Sequence, residues 1–480
     1  MNYRMLGYLF GVLMSIEAAL LLLPLLTAAI YGESVLPFLY TMAILLGVAI
    51  PLILLHPRKN LRFFAREGFV CVAGTWILLS LTGALPFLFS GAIPSYVDAV
   101  FETVSGFTTT GATVLTSVEE LPRGILLWRS LTHWVGGMGV LMFMLAVLPS
   151  DNSRAMHLLR AEVPGPTKGK LVPKLRKTAL ILYGIYVAMT LLEVVALLLT
   201  GMPLYDAIVS ALATAGTGGF SVMNTSIMGY KNPAAEWIIA IFMFLFGVNF
   251  NLYFFLLIGK VGNALRNEEL RIYAIVTLLA TGVILLNTRG LFNSFGEGLR
   301  TAFFQVASVI STTGFTTADF NTWPTLSKMV LLLLMLIGAS AGSTAGGIKV
   351  SRATILVKNA GRELRHILRP RSVNVTRLEG VALPEETVRS TSHYLVLYVL
   401  TFLAGALLIS VDGASLETTL TASLACLSNV GPGLGAVGPM GNFAGFSAFS
   451  KLVLSLEMLV GRLEVLPMLI FFAPSTWKKM

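Results

Sequence analysis

Apolar runs of about 20 residues recur from one end of the chain to the other, each long enough to cross roughly 30 Å of hydrocarbon as a helix. Two stand alone at the front, about 5–31 and 35–56. A composite pattern then appears four times: a long apolar run, a shorter segment of mixed polarity ending in a Thr/Gly-rich tract, and a second long run. The first runs cover about 67–90, 178–200, 270–287 and 391–410, and the second runs about 122–148, 233–258, 325–349 and 447–472. The pattern predicts an all-α membrane protein with ten full spans. The opening run holds Glu17 and Pro24 with no small-residue cleavage signature after it, so it reads as a retained span rather than a signal peptide.

The short segments, about 96–107, 204–215, 299–311 and 415–427, are too short to cross a bilayer as helices. They read as re-entrant half-helices. Backbone that leaves the helix at membrane depth survives only inside protein or against water, so four such elements imply a shared polar cavity. The chain then divides into two N-terminal helices (1–60) and four pore-loop units (61–150, 151–260, 261–372 and 373–480).

Composition agrees: with 12% charged residues and a mean hydropathy of +0.80, the chain cannot build a soluble surface of its size. The net charge of +10 is concentrated in a few connections, 56–62, 154–177, 260–271 and 349–371. The others are poor in Lys and Arg and carry acids such as Glu33, Asp98, Glu119, Glu120, Asp206 and Glu417. Treating the short segments as in-and-back loops puts every basic connection on one side, with both termini in the cytoplasm. The basic loops therefore read as topology signals and anionic-lipid contacts, not as a nucleic-acid surface. Cys71 and Cys426 lie in apolar segments and form neither a disulfide framework nor a metal spacing.

The tracts after the half-helices carry the chemistry. They read Ser105-Gly-Phe-Thr-Thr-Thr-Gly-Ala-Thr113, Ala213-Thr-Ala-Gly-Thr-Gly-Gly-Phe-Ser221, Val309-Ile-Ser-Thr-Thr-Gly-Phe-Thr316 and Leu427-Ser-Asn-Val-Gly-Pro-Gly-Leu-Gly435. Ala99, Ala207 and Ala302 each precede a glycine by 12 positions, which aligns Gly111, Gly219 and Gly314. The fourth tract aligns best at Gly431, with Gly433 also available. Carbonyls of four extended strands can replace the water around a cation. Glycine turns them toward one axis without a Cβ penalty. Candidate ligand residues are Thr109, Thr110, Gly111, Gly218, Gly219, Thr313, Gly314, Val430 and Gly431. No Asp or Glu sits in the tracts, so the donors are neutral dipoles, suited to a weakly hydrated monovalent ion rather than Ca²⁺ or Mg²⁺. The competing reading is helix packing at small residues.

Two further features fall below the tracts, toward the basic side. Gly338-Ala-Ser-Ala-Gly-Ser-Thr-Ala-Gly-Gly-Ile-Lys349 interrupts a span with residues that disfavour helix, and predicts an intramembrane gating loop around Gly338, Gly342, Ser343, Thr344, Gly346, Gly347 and Lys349. Arg462 is an intramembrane cation, read either as a pore barrier or as the partner of Glu457 or Glu464. Arg129 and His133 read as structural hydrogen-bonders, Glu193 as a partner for an intramembrane cation, Asn249 and Asn251 as bonds between helices, and the aromatic run Phe242–Phe255 as packing or lipid contact. No nucleophile–base set, phosphate loop or His/carboxylate metal spacing points to an enzyme.

At these tracts, and at Ala341-Gly-Ser-Thr-Ala-Gly-Gly-Ile-Lys349 and Gly461-Arg-Leu-Glu464, the chain resembles the TrkH/KtrB superfamily of bacterial potassium-translocating proteins. The two leading spans look like TrkH rather than KtrB. The resemblance implies four units around a pseudo-fourfold K⁺ pore, filter glycines Gly111, Gly219, Gly314 and Gly431, a gating loop at 338–349 and a pore arginine at Arg462. It also implies a homodimer in the bacterial inner membrane, regulated by a cytosolic TrkA-like nucleotide-binding ring. In related plant transporters a serine at the first filter position accompanies Na⁺ selectivity, and Gly111 here points to K⁺. Ala345 stands where the family pattern has glycine, a departure that stiffens the loop. The alternatives within transport are a K⁺ symporter coupled to H⁺ or Na⁺, and a poorly selective K⁺/Na⁺ pore.

Overall fold

The computed structural model describes residues 3–54, 65–139, 175–371 and 374–477. The basic connections 56–62 and 154–174, and residues 140–148 of the expected first-unit span, lie outside these. Two hairpin-forming spans come first: α1 (Tyr3–Leu20), continued after Leu21 by α2 (Leu22–Ile30), and α3 (Leu36–Leu54). Unit one has α4 (Ala65–Thr82), α5 (Leu85–Phe89), α6 (Tyr96–Phe107) and α7 (Arg123–Gly137). Unit two has α8 (Leu175–Leu199), α9 (Leu204–Ala215), α10 (Pro233–Phe246) and α11 (Phe250–Leu257), followed by the linking turn α12 (Val261–Leu265). Unit three has α13 (Glu268–Thr288), α14 (Phe295–Ile310), α15 (Thr325–Ile337) and α16 (Val350–Leu368). A two-stranded antiparallel ribbon, β1 (Arg377–Leu378) and β2 (Val381–Ala382), leads into unit four: α17 (Glu385–Ile409), α18 (Leu416–Leu427), α19 (Ala448–Arg462) and α20 (Leu466–Phe472).

Burial sorts these helices. The long first helices of the later units turn large apolar side chains outward: Leu191, Leu192 and Val195 on α8, Leu278 and Leu286 on α13, Leu403 and Leu407 on α17. An exposed leucine row on a long helix is what a lipid-facing surface requires. The short helices α6, α9, α14 and α18 are the opposite, with their C-terminal halves almost wholly buried. Their starts are set locally. Ser95, Ser294 and Ser415 accept from the backbone N–H three residues on, a cap worth about 1 kcal/mol each. Asp98, Asp206, Glu297 and Glu417 place negative charge in the first turns.

The expected second runs are not single continuous helices in the described residues. Among the described residues six helices are long and apolar enough to cross a membrane, or seven if one bent pair counts as a span. Those six are the two leading spans and the first span of each unit. The second runs are interrupted. The helix α7 stops at Gly137, with Gly139 at φ +80°. The pair α10 and α11 bends by 92° at Gly247–Asn249. In unit three the helix leaves at Gly338 and resumes only at Val350. In unit four it breaks where Glu464 and Val465 both adopt φ +61°. Close backbone approach is the reason. A methyl group on Gly136 or Gly461 would collide with the carbonyl oxygen ending α6 (Phe107) or α18 (Leu427). Gly247 packs against Tyr273 and Ala339. The breaks thus cluster beneath the ends of the short helices.

Candidate functional site

Each short helix ends in the same way. The residue two before the aligned glycine is left-handed although it is not glycine: Thr109, Thr217, Thr312 and Asn429 have φ of 56°, 54°, 57° and 56°. The next N–H then reaches back five residues, from Thr110 to Ser105 (2.9 Å), Gly218 to Ala213 (2.9 Å), Thr313 to Ser308 (2.8 Å) and Val430 to Ala425 (2.9 Å). This is a Schellman-type stop, which normally takes glycine at the left-handed position. A side chain there costs roughly 1–2 kcal/mol, and the same departure made four times is strain concentrated at one place. The glycines follow with φ of 80°, 78°, 82° and 91° at Gly111, Gly219, Gly314 and Gly431. The repeat identifies Gly431 as the fourth equivalent; Gly433 instead packs against Thr421.

These strands meet one another in a cycle. A methyl group on Gly111 would press on the carbonyl oxygen of Gly218, one on Gly219 on that of Thr313, one on Gly314 on that of Val430, and one on Gly431 on that of Thr110. Each separation would be 2.5 Å or less. The contacts run from unit one to two, two to three, three to four, and back to one. The expected residues Thr110, Gly218, Thr313 and Val430 therefore supply the four carbonyls that close the ring. All four glycines also line one open cavity, with Thr113, Ser221 and Thr316 farther out.

Side chains hold the strands from behind. The Thr110 hydroxyl pairs with that of Thr108 (2.8 Å) and accepts from the Asn429 amide (2.9 Å). That amide also donates to the Met458 carbonyl (2.9 Å). The Thr313 hydroxyl pairs with Ser311 (2.7 Å), and Ser428 with Tyr398 (2.7 Å). These threonine hydroxyls are engaged in support, and the groups the four strands turn toward one another are backbone carbonyls. The Thr109 hydroxyl is buried with no partner.

Beneath the ring runs the loop 338–349, which bonds to residues of units two, three and four and is linked to unit one through Arg462. The N–H of Gly346 donates to the Thr312 hydroxyl (2.7 Å), and Gly346 is packed against the Ser428 carbonyl. The N–H of Ser340 donates to the Gly247 carbonyl (3.1 Å), and that of Phe250 to the Gly342 carbonyl (3.0 Å). Arg462 donates to the carbonyls of Thr344 (2.7 Å), Gly136 (2.6 Å) and Gly137 (2.7 Å), tying the loop to the end of α7. Gly338, Gly342, Gly347 and Lys349 all have positive φ, and the Lys349 ammonium donates to the Ala345 carbonyl. Ser343 closes a turn on the Ser340 carbonyl (2.6 Å), and Thr344 donates to the Phe246 carbonyl (3.3 Å).

Two supports were not singled out from sequence. Glu269, in the first turn of α13, accepts with one oxygen from the N–H of Ala341 (2.7 Å) and Ser351 (3.1 Å), clamping the loop near both its ends. Glu102, fully buried in α6, pairs with Arg129 (2.6 Å). Neither acid carries a motif; each becomes visible only when the fold brings its partners in.

Other expectations change. Glu464 pairs with Arg352 (2.6 Å), and Glu457 accepts from Ser423 (2.7 Å). The guanidinium of Arg462 instead bridges carbonyls. Among the described residues Glu193 makes no ion pair, and it packs beside Thr214. Asn249 caps α11 by accepting from the N–H of Asn251 (3.0 Å), a bond within one helix rather than between helices. Phe242, Phe246 and Phe250 are buried and stacked, the packing role. His133 binds the Gly106 carbonyl (2.7 Å) through Nδ1 and lies against Gly218, so the structural reading of it holds.

Together these features define a pore-loop membrane protein, with four short helices delivering a ring of backbone carbonyls above a broken-span layer. The chain belongs to the TrkH family of cation transport proteins, whose family model matches residues 40–479. It is 37% identical to the Trk system potassium uptake protein TrkH of Salmonella typhimurium and 36% identical to that of Escherichia coli K12, over 100% of each chain. It superimposes on the crystal structure of the potassium transporter TrkH from Vibrio parahaemolyticus with a TM-score of 0.89, at 32% identity and with 100% of both chains covered.

Proposed function

We propose that this chain carries K⁺ into the cell through a gated pore around a pseudo-fourfold axis. The observation that carries the reading is the cyclic contact of Gly111, Gly219, Gly314 and Gly431 with the carbonyls of neighbouring units. Four backbone oxygens from four equivalent strands replace part of a K⁺ ion's hydration shell. The short helices lead into the ring by their C-terminal ends, where the partial negative charge of the peptide dipoles favours a cation. Relatives along the full chain are named as potassium uptake proteins, which supports K⁺ as the ion. An inward-negative membrane potential supplies about 2.3 kcal/mol per charge per 100 mV, enough for accumulation without a cofactor. Gly111→Ser is expected to reduce K⁺ flux and, in the flux that remains, to lower K⁺ over Na⁺ discrimination about tenfold by adding bulk at φ +80° against the Gly218 carbonyl. Unchanged selectivity in flux assays would count against the ring as the filter.

The loop 338–349 serves as the gate and Arg462 as an electrostatic barrier beneath the ring. A homodimer in the bacterial inner membrane, with both termini cytoplasmic, places the loop next to a cytosolic TrkA-like nucleotide-binding ring that sets its position. Glu269→Ala leaves the N–H groups of Ala341 and Ser351 without their acceptor. At about 1–3 kcal/mol per orphaned group, the closed loop is destabilised and unregulated Rb⁺ uptake rises about tenfold. Basal uptake equal to the parent's in a folded variant would remove Glu269 from the gate.

A further inference from the structure

We infer that the buried Glu102–Arg129 pair is a positioning device for ion selectivity, fixing the distance between the unit-one and unit-two strands of the carbonyl ring. The inference rests on the reading of those strands as a filter. Its basis is where the two side chains end. The Glu102 carboxylate accepts from the Thr113 hydroxyl (2.9 Å) and the Val114 N–H (3.0 Å), two and three residues beyond Gly111. Arg129 donates through Nε to that carboxylate (2.6 Å) and through Nη1 to the Ser221 carbonyl (3.2 Å), two residues beyond Gly219. Its guanidinium also lies 3.6 Å from the centre of the Phe220 ring. One ion pair therefore grips the outgoing strand of unit one and that of unit two together.

The equivalent position carries no charge in the other units. Gln305 stands nine residues before Gly314, as Glu102 stands nine before Gly111, and with its amide turned to satisfy both groups its oxygen accepts from the N–H of Thr317 (2.8 Å) and Ala318 (3.1 Å). That is a brace within one unit. The same position holds Ser210 in unit two and Ala422 in unit four. Neutral bonds also cross unit boundaries, from the Thr316 N–H to the Ser226 hydroxyl (3.1 Å) and between Asn321 and the Gly435 backbone (3.0 and 3.2 Å), but among the described residues only the unit-one brace is an ion pair that grips two outgoing strands.

A charge pair also suits this position electrostatically. Arg129 lines the open cavity beside Gly111 and Gly219, where an unneutralised guanidinium would repel the ion. Glu102 cancels that charge while leaving the tether intact, since a charge-assisted hydrogen bond to a carboxylate is stronger than a neutral one. The ring's oxygens discriminate between cations only while their spacing and number are held. Loss of the tether frees the Gly219 strand to close around a smaller ion.

The test uses the full-length protein in liposomes and reads the K⁺ to Na⁺ permeability ratio beside thermal stability. Arg129→Lys keeps the charge and the ion pair but cannot bind Glu102 and the Ser221 carbonyl at once. Its ratio is expected to fall about tenfold while K⁺ still passes. Thr113→Val removes one donor to Glu102 with little change of shape and is expected to lower the ratio about two- to threefold with the fold intact. Should Arg129→Lys fail to fold, Thr113→Val alone decides. A parental ratio in the folded variants overturns the inference and leaves the pair as a prop of the fold. A parent protein that itself passes K⁺ and Na⁺ equally overturns the filter reading instead.

Discussion

Gly219→Ala is expected to abolish K⁺ flux, with a drop of about 100-fold, while the protein still inserts and folds. At φ +78° this residue is in a region that side chains rarely adopt. An added methyl would press on the Thr313 carbonyl oxygen and lie 3.1 Å from the carbonyl carbon of Gly314. Both neighbours are backbone of the adjacent strand, so no rotamer change makes room. Overpacking costs about 1–3 kcal/mol and the left-handed backbone roughly 1–2 kcal/mol more. A 100-fold loss corresponds to about 2.7 kcal/mol, within that range. The strain is relieved by displacing the Thr313 carbonyl from the ring, not by unfolding helices whose packing lies elsewhere. Flux measured beside a thermal melt checks this; a folded variant with parental flux would contradict it.

The second large effect is expected at the loop 338–349, the proposed gate. Deleting residues 341–346 is expected to raise basal flux about tenfold or more, since it removes the segment that bonds Thr312, Phe250 and Arg462 beneath the ring. Arg462 separates two causes. Arg462→Ala removes both the positive charge and the three carbonyl contacts, each charge-assisted bond being worth about 1.5–3 kcal/mol. Arg462→Lys keeps the charge but loses the fork that joins Thr344 to Gly136 and Gly137. Raised flux in both variants makes the tether the brake, whereas raised flux in alanine alone makes the charge the barrier. A folded loop deletion that stays closed would remove the loop from gating.

Much of this architecture was legible because apolar length and small-residue tracts are strong signals. The half-helix ranges 96–107 and 204–215 coincide with α6 and α9, and the αL–x–Gly stop falls where the tracts were read. The second runs differ from the pattern, because hydropathy does not register a close contact made by a distant part of the chain. Gly247-Val-Asn249 sits inside an apolar stretch and looks like continuous helix until Tyr273 and Ala339 are brought against Gly247. Glu102 and Glu269 were illegible for a related reason. An acid in a short amphipathic segment, or in the first turn of a helix, is common; what distinguishes these two is a partner far away in sequence, 27 residues for Arg129 and 72 for Ala341. Glu193 departs in the opposite sense, since an intramembrane carboxylate suggests a cation and among the described residues the fold brings Thr214 and Tyr186 near it instead.

The most direct test is ion flux into liposomes containing the purified protein, with K⁺, Rb⁺ and Na⁺ compared with and without a pH gradient. K⁺ and Rb⁺ are expected to pass at similar rates, Na⁺ at least about tenfold more slowly, with the pH gradient changing none of these. Equal K⁺ and Na⁺ flux, or K⁺ entry that requires the pH gradient, would contradict the proposed K⁺ pore.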